Sequence, residues 1–138
     1  MQRLKIYTSY YAKYNKVNPA WQCVAISNSK PNAIFIPSLK DLAPLWSLVN
    51  DYKNKELSRE RFEQKYLQQI HRCIGPEKLK EMLLSFNNAN VVLMCYESSP
   101  NECHRSTLAH YIRMFLPEFE VCCELNFDKT SAKLSLDL

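Results

Sequence analysis

The fold is decided by one stretch of the chain, Asn90-Val91-Val92-Leu93-Met94-Cys95-Tyr96-Glu97. A polar loop and then a helix-like run from Ser106 to Leu116 follow this short apolar segment. Such an order is typical of a buried parallel strand that passes through a turn into an amphipathic helix. Ligands of open α/β sheets bind beyond the carboxyl ends of the strands, and a helix amino terminus attracts anions. The stretch therefore predicts an α/β fold and the place of its site.

The predicted turn is Ser98-Ser99-Pro100-Asn101-Glu102-Cys103-His104-Arg105. Between Cys95 and Arg105 the chain carries two thiols, two carboxylates, an imidazole and a guanidinium. These groups can bind anions, move protons or act as nucleophiles, so the pattern indicates a site without specifying a reaction.

The composition indicates one globular domain. The chain has 138 residues, 46% of them hydrophobic, and no apolar run approaches the roughly 18 residues of a membrane span. The opening residues 1–6 do not resemble the apolar core of a signal peptide. We therefore expect a soluble, cytoplasmic protein with no membrane partner, and its six cysteines are expected to be reduced thiols.

Charge and glycine content exclude some classes of function. The formal net charge is +4, and the basic residues are scattered, which favours a solvated surface over a nucleic-acid interface. Gly75 is the single glycine. Walker and dinucleotide loops need several glycines for close approach of the backbone to phosphates, so both motifs are excluded.

Alternating and continuous apolar runs predict further strands at 3–8, 21–26, 33–36 and 119–125. Apolar residues spaced three and four apart predict helices over 39–53, with Pro44 in the first turn, over 58–74, with Ser58 as N-cap, and over 77–86. Residues 126–138 are expected to be a loosely held tail in which Leu134, Leu136 and Leu138 form a short edge strand.

The order of these elements predicts the architecture. Three helices in succession, followed by an apolar strand, imply a right-handed crossover that returns parallel to an earlier strand. We expect a single three-layer α/β domain over residues 1–138 with a mainly parallel, Rossmann-like sheet. The three helices either cover one face of the sheet or supply the surface of a homodimer.

Cys103 is the expected reactive thiol. It opens a helix beside His104 and Arg105, and both the helix dipole and the cations would stabilise its thiolate. Cys95, which closes the strand, would lie close by as a candidate ligand-binding residue. The alternative is that both cysteines are small packed hydrophobes.

Two familiar cysteine motifs do not fit. A Cys-x5-Arg phosphatase loop would need arginine at position 101 or 109, where the chain has Asn101 and Ala109. A zinc site usually uses Cys-x2-Cys or His-x3-His pairs, so Cys95, Cys103 and His104 would be irregular ligands. We assign no metal and no cofactor from the sequence.

An anion-tolerant pocket remains. Arg105 could clamp a phosphate or carboxylate, His104 could shuttle a proton, and Glu97 could orient a ribose-like hydroxyl or act as a base. In the alternative, Glu97 and Arg105 simply pair across the turn. Candidate ligand-binding residues at the end of the first strand are Thr8, Ser9 and Tyr10, although the Thr8 and Ser9 hydroxyls could equally satisfy local turn N–H groups.

The block Cys95-x-Glu97…Cys103-His104-Arg105 resembles the signature of the domain-of-unknown-function 488 family. The resemblance extends to further segments, namely Ile6-Tyr7-Thr8-Ser9-Tyr10-Tyr11, Val24-Ala25-Ile26-Ser27, Leu42-Ala43-Pro44, the helix from Phe62 to Tyr66, and Glu124 as an acidic residue near the end. It implies a single α/β domain with a mainly parallel sheet. It also implies that the five residues of the block form the site, with Thr8 and Ser9 as neighbours, and it implies no particular reaction.

Three hypotheses follow. In the first, the turn binds or processes a small anionic, nucleotide-like ligand that bears phosphate or ribose. In the second, the domain is a non-enzymatic binding, sequestering or protein-interaction module. In the third, Cys95 and Cys103 perform thiol or metal chemistry.

Overall fold

The computed structural model describes residues 3–99 and 103–125. Its strands are β1 (Lys5–Tyr10), β2 (Gln22–Ala25), β3 (Asn90–Cys95) and β4 (Glu120–Glu124). The α-helices are α1 (Trp46–Lys53), α2 (Arg59–Cys73), α3 (Gly75–Leu84) and α4 (His104–Phe115), and two 3₁₀ helices cover Tyr11–Lys16 and Lys40–Leu42. The predicted tail strand with Leu134, Leu136 and Leu138 lies outside the described residues.

The four strands form one parallel sheet in the order β2-β3-β1-β4. The predicted apolar strand is β3, and its side chains from Val91 to Cys95 are all buried. It pairs with β1 from Lys5 opposite Asn90 to Tyr10 opposite Cys95. The α/β class and the parallel sheet expected from the sequence are confirmed.

The connections between the strands place the four α-helices on one face of the sheet. The chain moves from β2 to β3 and from β3 to β4 in one direction, but from β1 to β2 in the other. Right-handed crossovers in opposite directions must pass over opposite faces. Accordingly, the α-helices pack in the larger core cluster, whereas Tyr11 and Tyr14 of the first 3₁₀ helix belong to the smaller cluster on the other side.

The helical periodicity is confirmed in α2 and α3. Ser58 caps α2 by accepting a hydrogen bond from the Arg61 N–H at 3.2 Å, and Phe62, Tyr66 and Ile70 form the buried stripe. Gly75 begins α3, with one residue between it and the end of α2, and has φ of 82°, a left-handed conformation that glycine adopts without steric cost. Within the described residues, none of the helices combines the length and the apolar character needed to cross a membrane.

Two local predictions are wrong. Residues 33–36 form no strand, because Pro31 and Pro37 flank them, and Ser38 alone makes a bridge to Ala25. The helix predicted over 39–53 begins at Trp46, since a residue before proline avoids helical angles and Ala43 is therefore extended. Pro44 thus precedes α1 instead of lying in its first turn.

Candidate functional site

The site is built where β3 ends and α4 begins. Cys95 is the last residue of β3, and Cys103 precedes α4 in an extended conformation, with φ of −124° and ψ of 156°. A disulfide joins their sulfur atoms, and their Cα atoms are 7.2 Å apart. The expectation of reduced thiols is therefore wrong for this pair, because the turn brings the end of the strand back to the start of the helix.

Three other cysteines are free thiols, namely Cys23, Cys73 and Cys122. Burial raises the pKa of Cys23 to about 11, which suits a packed side chain and not a nucleophile. Cys73 is exposed on α2. None of these three thiols lines the site described below.

Arg105 is a buried cation whose hydrogen-bonding capacity is used by the protein itself. Its side chain is 0% exposed and forms a bidentate ion pair with Glu124. Nε donates to Glu124 Oε1 at 2.9 Å, and Nη2 donates to Glu124 Oε2 at 2.7 Å. Nη1 also donates to the backbone carbonyl of Glu97 at 2.6 Å and to Cys95 Sγ at 3.4 Å, while Nη2 donates to the Ser98 carbonyl at 3.2 Å. A guanidinium has five donors, so each has a protein acceptor.

Glu97 and Arg105 do not pair as the alternative prediction supposed. Arg105 contacts the backbone carbonyl of Glu97, and its ionic partner is the distant Glu124. Glu124 Oε1 also accepts a hydrogen bond from the Thr8 hydroxyl at 2.5 Å. This arrangement joins the ends of β1, β3 and β4 to the first turn of α4.

Two of the three first-strand candidates are linked to Arg105. Thr8 reaches it through Glu124, and the Tyr10 ring lies 5.7 Å from the guanidinium carbon. Ser9 is fully buried, and its hydroxyl has no hydrogen-bond partner among the described residues. The assignment of Thr8, Ser9, Tyr10, Cys95 and Arg105 to ligand binding stays a prediction. The geometry gives Thr8, Tyr10 and Arg105 contacts within the protein and joins Cys95 to Cys103.

His104 is buried and held in one orientation. Its Nε2 lies 2.5 Å from the carbonyl oxygen of Ile26, which can only accept, so the proton is on Nε2 and Nδ1 carries a lone pair. Nδ1 lies 3.8 Å from Cys103 Sγ, and the Tyr66 ring contacts the imidazole edge-on at 5.3 Å. Burial lowers the pKa of His104 to about 4, with smaller effects of Arg105 and Arg59, although the Ile26 hydrogen bond opposes the shift.

An open cleft of about 700 Å³ lies beside this imidazole. Glu97, Cys103 and His104 line it together with Lys53, Lys55 and Tyr52. A second hollow of about 230 Å³ shares Glu97, His104 and Lys53 with the cleft, and is also lined by Ser27, Asn28, Trp46 and Tyr96. The structure thus brings together the three residues predicted to be catalytic.

Other residues around the site were not identified from the sequence. Arg59 of α2 donates to the Cys103 carbonyl at 2.7 Å and packs over the rings of Tyr52 and Phe62. Lys53 is the last residue of α1 and Lys55 follows it, and both line the cleft together with Cys103 and His104. In the sequence these residues look like ordinary surface cations, so no local signal could have identified them.

The fold and the site define a class of protein: a parallel α/β domain with a Cys-Glu…Cys-His-Arg turn at the carboxyl ends of its strands. Residues 20–114 match the family model DUF488-N3a, which is described as the active DUF488-N3 subclade. Because this match covers more than half of the chain, the protein belongs to the DUF488 family. The matched range contains the whole turn, whereas Thr8, Ser9, Tyr10 and Glu124 lie outside it. No curated protein and no solved structure matches the chain.

Proposed function

We propose that the protein binds a small phosphate- or ribose-bearing ligand, such as a nucleotide derivative, in the cleft beside Glu97 and His104. One observation carries this proposal: a half-buried carboxylate, a buried imidazole and two exposed lysines line the same 700 Å³ cleft. Small-molecule sites usually have volumes of about 300–1,000 Å³ and a few convergent polar groups.

The charges of the cleft favour an anionic ligand. Lys53 and Lys55 are exposed and line it, whereas Arg105 is occupied by Glu124 and by backbone carbonyls. A phosphate is therefore expected to contact the lysines of α1 and its flank, and not the guanidinium that the sequence favoured.

The adjoining hollow suits the other parts of a nucleotide. Trp46 and Tyr96 are 62% and 48% exposed, and a nucleobase gains about 1–3 kcal/mol by stacking on an aromatic side chain. Asn28 lines the hollow and donates through Nδ2 to the Pro44 carbonyl at 3.1 Å, so its Oδ1 is the atom that can accept from a ribose hydroxyl. Glu97 lies on the boundary between hollow and cleft. A carboxylate in this place can accept a hydroxyl proton, which is the first step of general base catalysis.

Calorimetric titration with nucleoside mono- and diphosphates tests the proposal, with inorganic phosphate and the parent nucleosides as partial ligands. The double variant Lys53→Ala/Lys55→Ala should weaken binding by at least about 10-fold, because a hydrogen bond to a charged group contributes roughly 1.5–3 kcal/mol. Lys78→Ala, an exposed lysine on α3, is the matched control and should bind as the wild type does. Equal affinity of the double variant, or no binding by the wild type at millimolar ligand, would contradict the proposal.

Conversion of the bound compound is measured separately. Glu97→Gln keeps the shape of the side chain but removes its basicity, so it should retain affinity and lose any turnover detected by mass spectrometry. If the wild type binds a ligand and leaves it unchanged, the domain acts by sequestration.

A further inference from the structure

Cys95, Cys103 and His104 form a cluster with the donor atoms of a metal site. One ligand atom from each lies within 4.8 Å of the other two, and all three side chains are buried. We propose that, when both thiols are reduced, these residues bind a zinc ion whose fourth coordination position faces the cleft. This inference goes beyond the proposed function and does not depend on it.

The orientation of His104 supports a metal ligand. Metal-binding histidines nearly always donate their second ring N–H to a carboxylate, a carbonyl or water, which fixes the tautomer. His104 has this arrangement, since Nε2 donates to the Ile26 carbonyl at 2.5 Å and the lone pair of Nδ1 is 3.8 Å from Cys103 Sγ. The backbone of Ile26, the residue after β2, thus holds the imidazole with Nδ1 towards Cys103 Sγ.

Arg105 supplies the corresponding contact to Cys95. Its Nη1 lies 3.4 Å from Cys95 Sγ, and Glu124 holds the guanidinium in place. A fixed cation at this distance stabilises a thiolate, which is the form of cysteine that binds metals. Both soft ligands and the imidazole are of the kinds that zinc prefers.

The spacing of the backbone suits two reduced thiols held by an ion. The Cα atoms of Cys95 and Cys103 are 7.2 Å apart, whereas most disulfides span roughly 4.4–6.8 Å. With Zn–S bonds of about 2.3 Å and tetrahedral angles, the two sulfurs would lie about 3.8 Å apart. The three donor atoms therefore need only small side-chain movements to surround an ion.

The cleft provides the open position. Cys103 and His104 line it, and three protein ligands with one open position are characteristic of catalytic zinc, whereas structural zinc usually has four protein ligands. Binding of Zn²⁺ to the reduced site forms two Zn–S bonds and one Zn–N bond and releases the two thiol protons. The disulfide is the alternative state, and conversion to the dithiol takes up two electrons and two protons.

The experiment uses the full chain, reduced by a trialkylphosphine. The phosphine supplies the two electrons and becomes the phosphine oxide, with water as the source of the oxygen atom and both protons. After removal of the reagent under argon, Zn²⁺ is titrated against a chromophoric chelator, and Co²⁺ is titrated to detect thiolate-to-cobalt absorption. One ion per chain is expected. Cys103→Ser should weaken zinc binding by on the order of 100-fold or more, because even the loss of a hydrogen bond to a metal ligand costs about 10–100-fold in affinity. Cys73→Ser, which removes an exposed thiol on α2, should bind zinc as the wild type does.

A second measurement on the wild type avoids variants that fold poorly. Zinc should slow alkylation of Cys95 and Cys103 while leaving that of Cys73 unchanged, as read by peptide mapping. Failure of the reduced wild type to bind one equivalent of zinc, or protection that falls on other cysteines, would overturn the proposal.

Discussion

Arg105 is the residue on which the geometry of the turn depends. A buried guanidinium is costly unless all its donors are paired, and here Glu124, two backbone carbonyls and a sulfur atom pair them. The side chain therefore holds the loop after β3 in place, which in turn positions Glu97 and His104 at the cleft.

Arg105→Ala should lower the free energy of unfolding by about 3–5 kcal/mol, because it leaves Glu124 and the carbonyls of Glu97 and Ser98 without their partner. Urea denaturation of the oxidised protein measures this change. Arg72→Ala is the control, since this arginine is exposed on α2 and its loss should change stability by no more than about 0.5 kcal/mol. Equal stability of the two variants would show that the buried pair does not hold the turn.

Lys55 combines a strained backbone with a place on the cleft. It follows the end of α1 with φ of 64°, a left-handed conformation that costs an L-residue roughly 1–2 kcal/mol. Glycine removes this cost, but its greater freedom in the unfolded chain offsets part of the gain. Lys55→Gly should therefore raise the free energy of unfolding by about 0.5–1 kcal/mol.

Thermal unfolding and phosphate-ligand titration of the same Lys55→Gly preparation separate the two roles, because affinity should fall while stability rises. Asn87→Gly is the matched control: Asn87 has φ of 51°, asparagine tolerates this region, and a smaller gain is expected. Loss of stability in Lys55→Gly would refute the assignment of strain.

At the scale of elements, the sequence predicts what local chemistry determines. The continuous apolar run of β3 and the three- and four-residue spacing of Phe62, Tyr66 and Ile70 are sufficient to identify a buried strand and α2. The two wrong predictions, at residues 33–36 and at the start of α1, lie beside prolines. There the proline ring and the restricted backbone angles of the residue before it override the hydrophobic pattern. In the segment 33–36, Ile34 and Ile36 are half-buried against the smaller core cluster, whereas Phe35 between them is 88% exposed, so only the alternation of the side chains resembles the predicted strand.

The candidate site was predictable only in part, because some of its residues are brought together by local sequence and others by long-range contacts. Glu97, Cys103 and His104 are close in sequence, and a single turn is enough to assemble them. Glu124 reaches Arg105 through the pairing of β4 with β1, and Lys53 and Lys55 reach the cleft through the packing of α1. Such long-range contacts depend on the order of the strands, which no local pattern contains.

At the scale of the whole molecule, strand order explains where the cleft lies. β1 and β3 are neighbours whose connections leave in opposite directions, and the crevice at such a switch point is the usual ligand site of an open α/β sheet. Here Arg105 fills that place, against Tyr10 of β1 and Cys95 of β3. The cleft and the adjoining hollow therefore lie one strand further along: Ser27, which follows β2, lines the hollow, and Glu97, which follows β3, lines both.

The redox state of Cys95 and Cys103 should change the stability of the whole fold. With a separation of eight residues, the disulfide restricts the unfolded chain and should contribute roughly 2–3 kcal/mol, so reduction in the presence of a chelator lowers the unfolding free energy by that amount. If the reduced pair and His104 bind zinc, free Zn²⁺ at 100 times the dissociation constant should restore about 2.7 kcal/mol, because the ion binds the folded state. Urea denaturation of oxidised, reduced and zinc-loaded protein measures both steps, with Cys73→Ser as the control that should behave as the wild type does. Equal stabilisation of the oxidised protein by zinc would place the ion elsewhere, since a disulfide has no thiolate to offer.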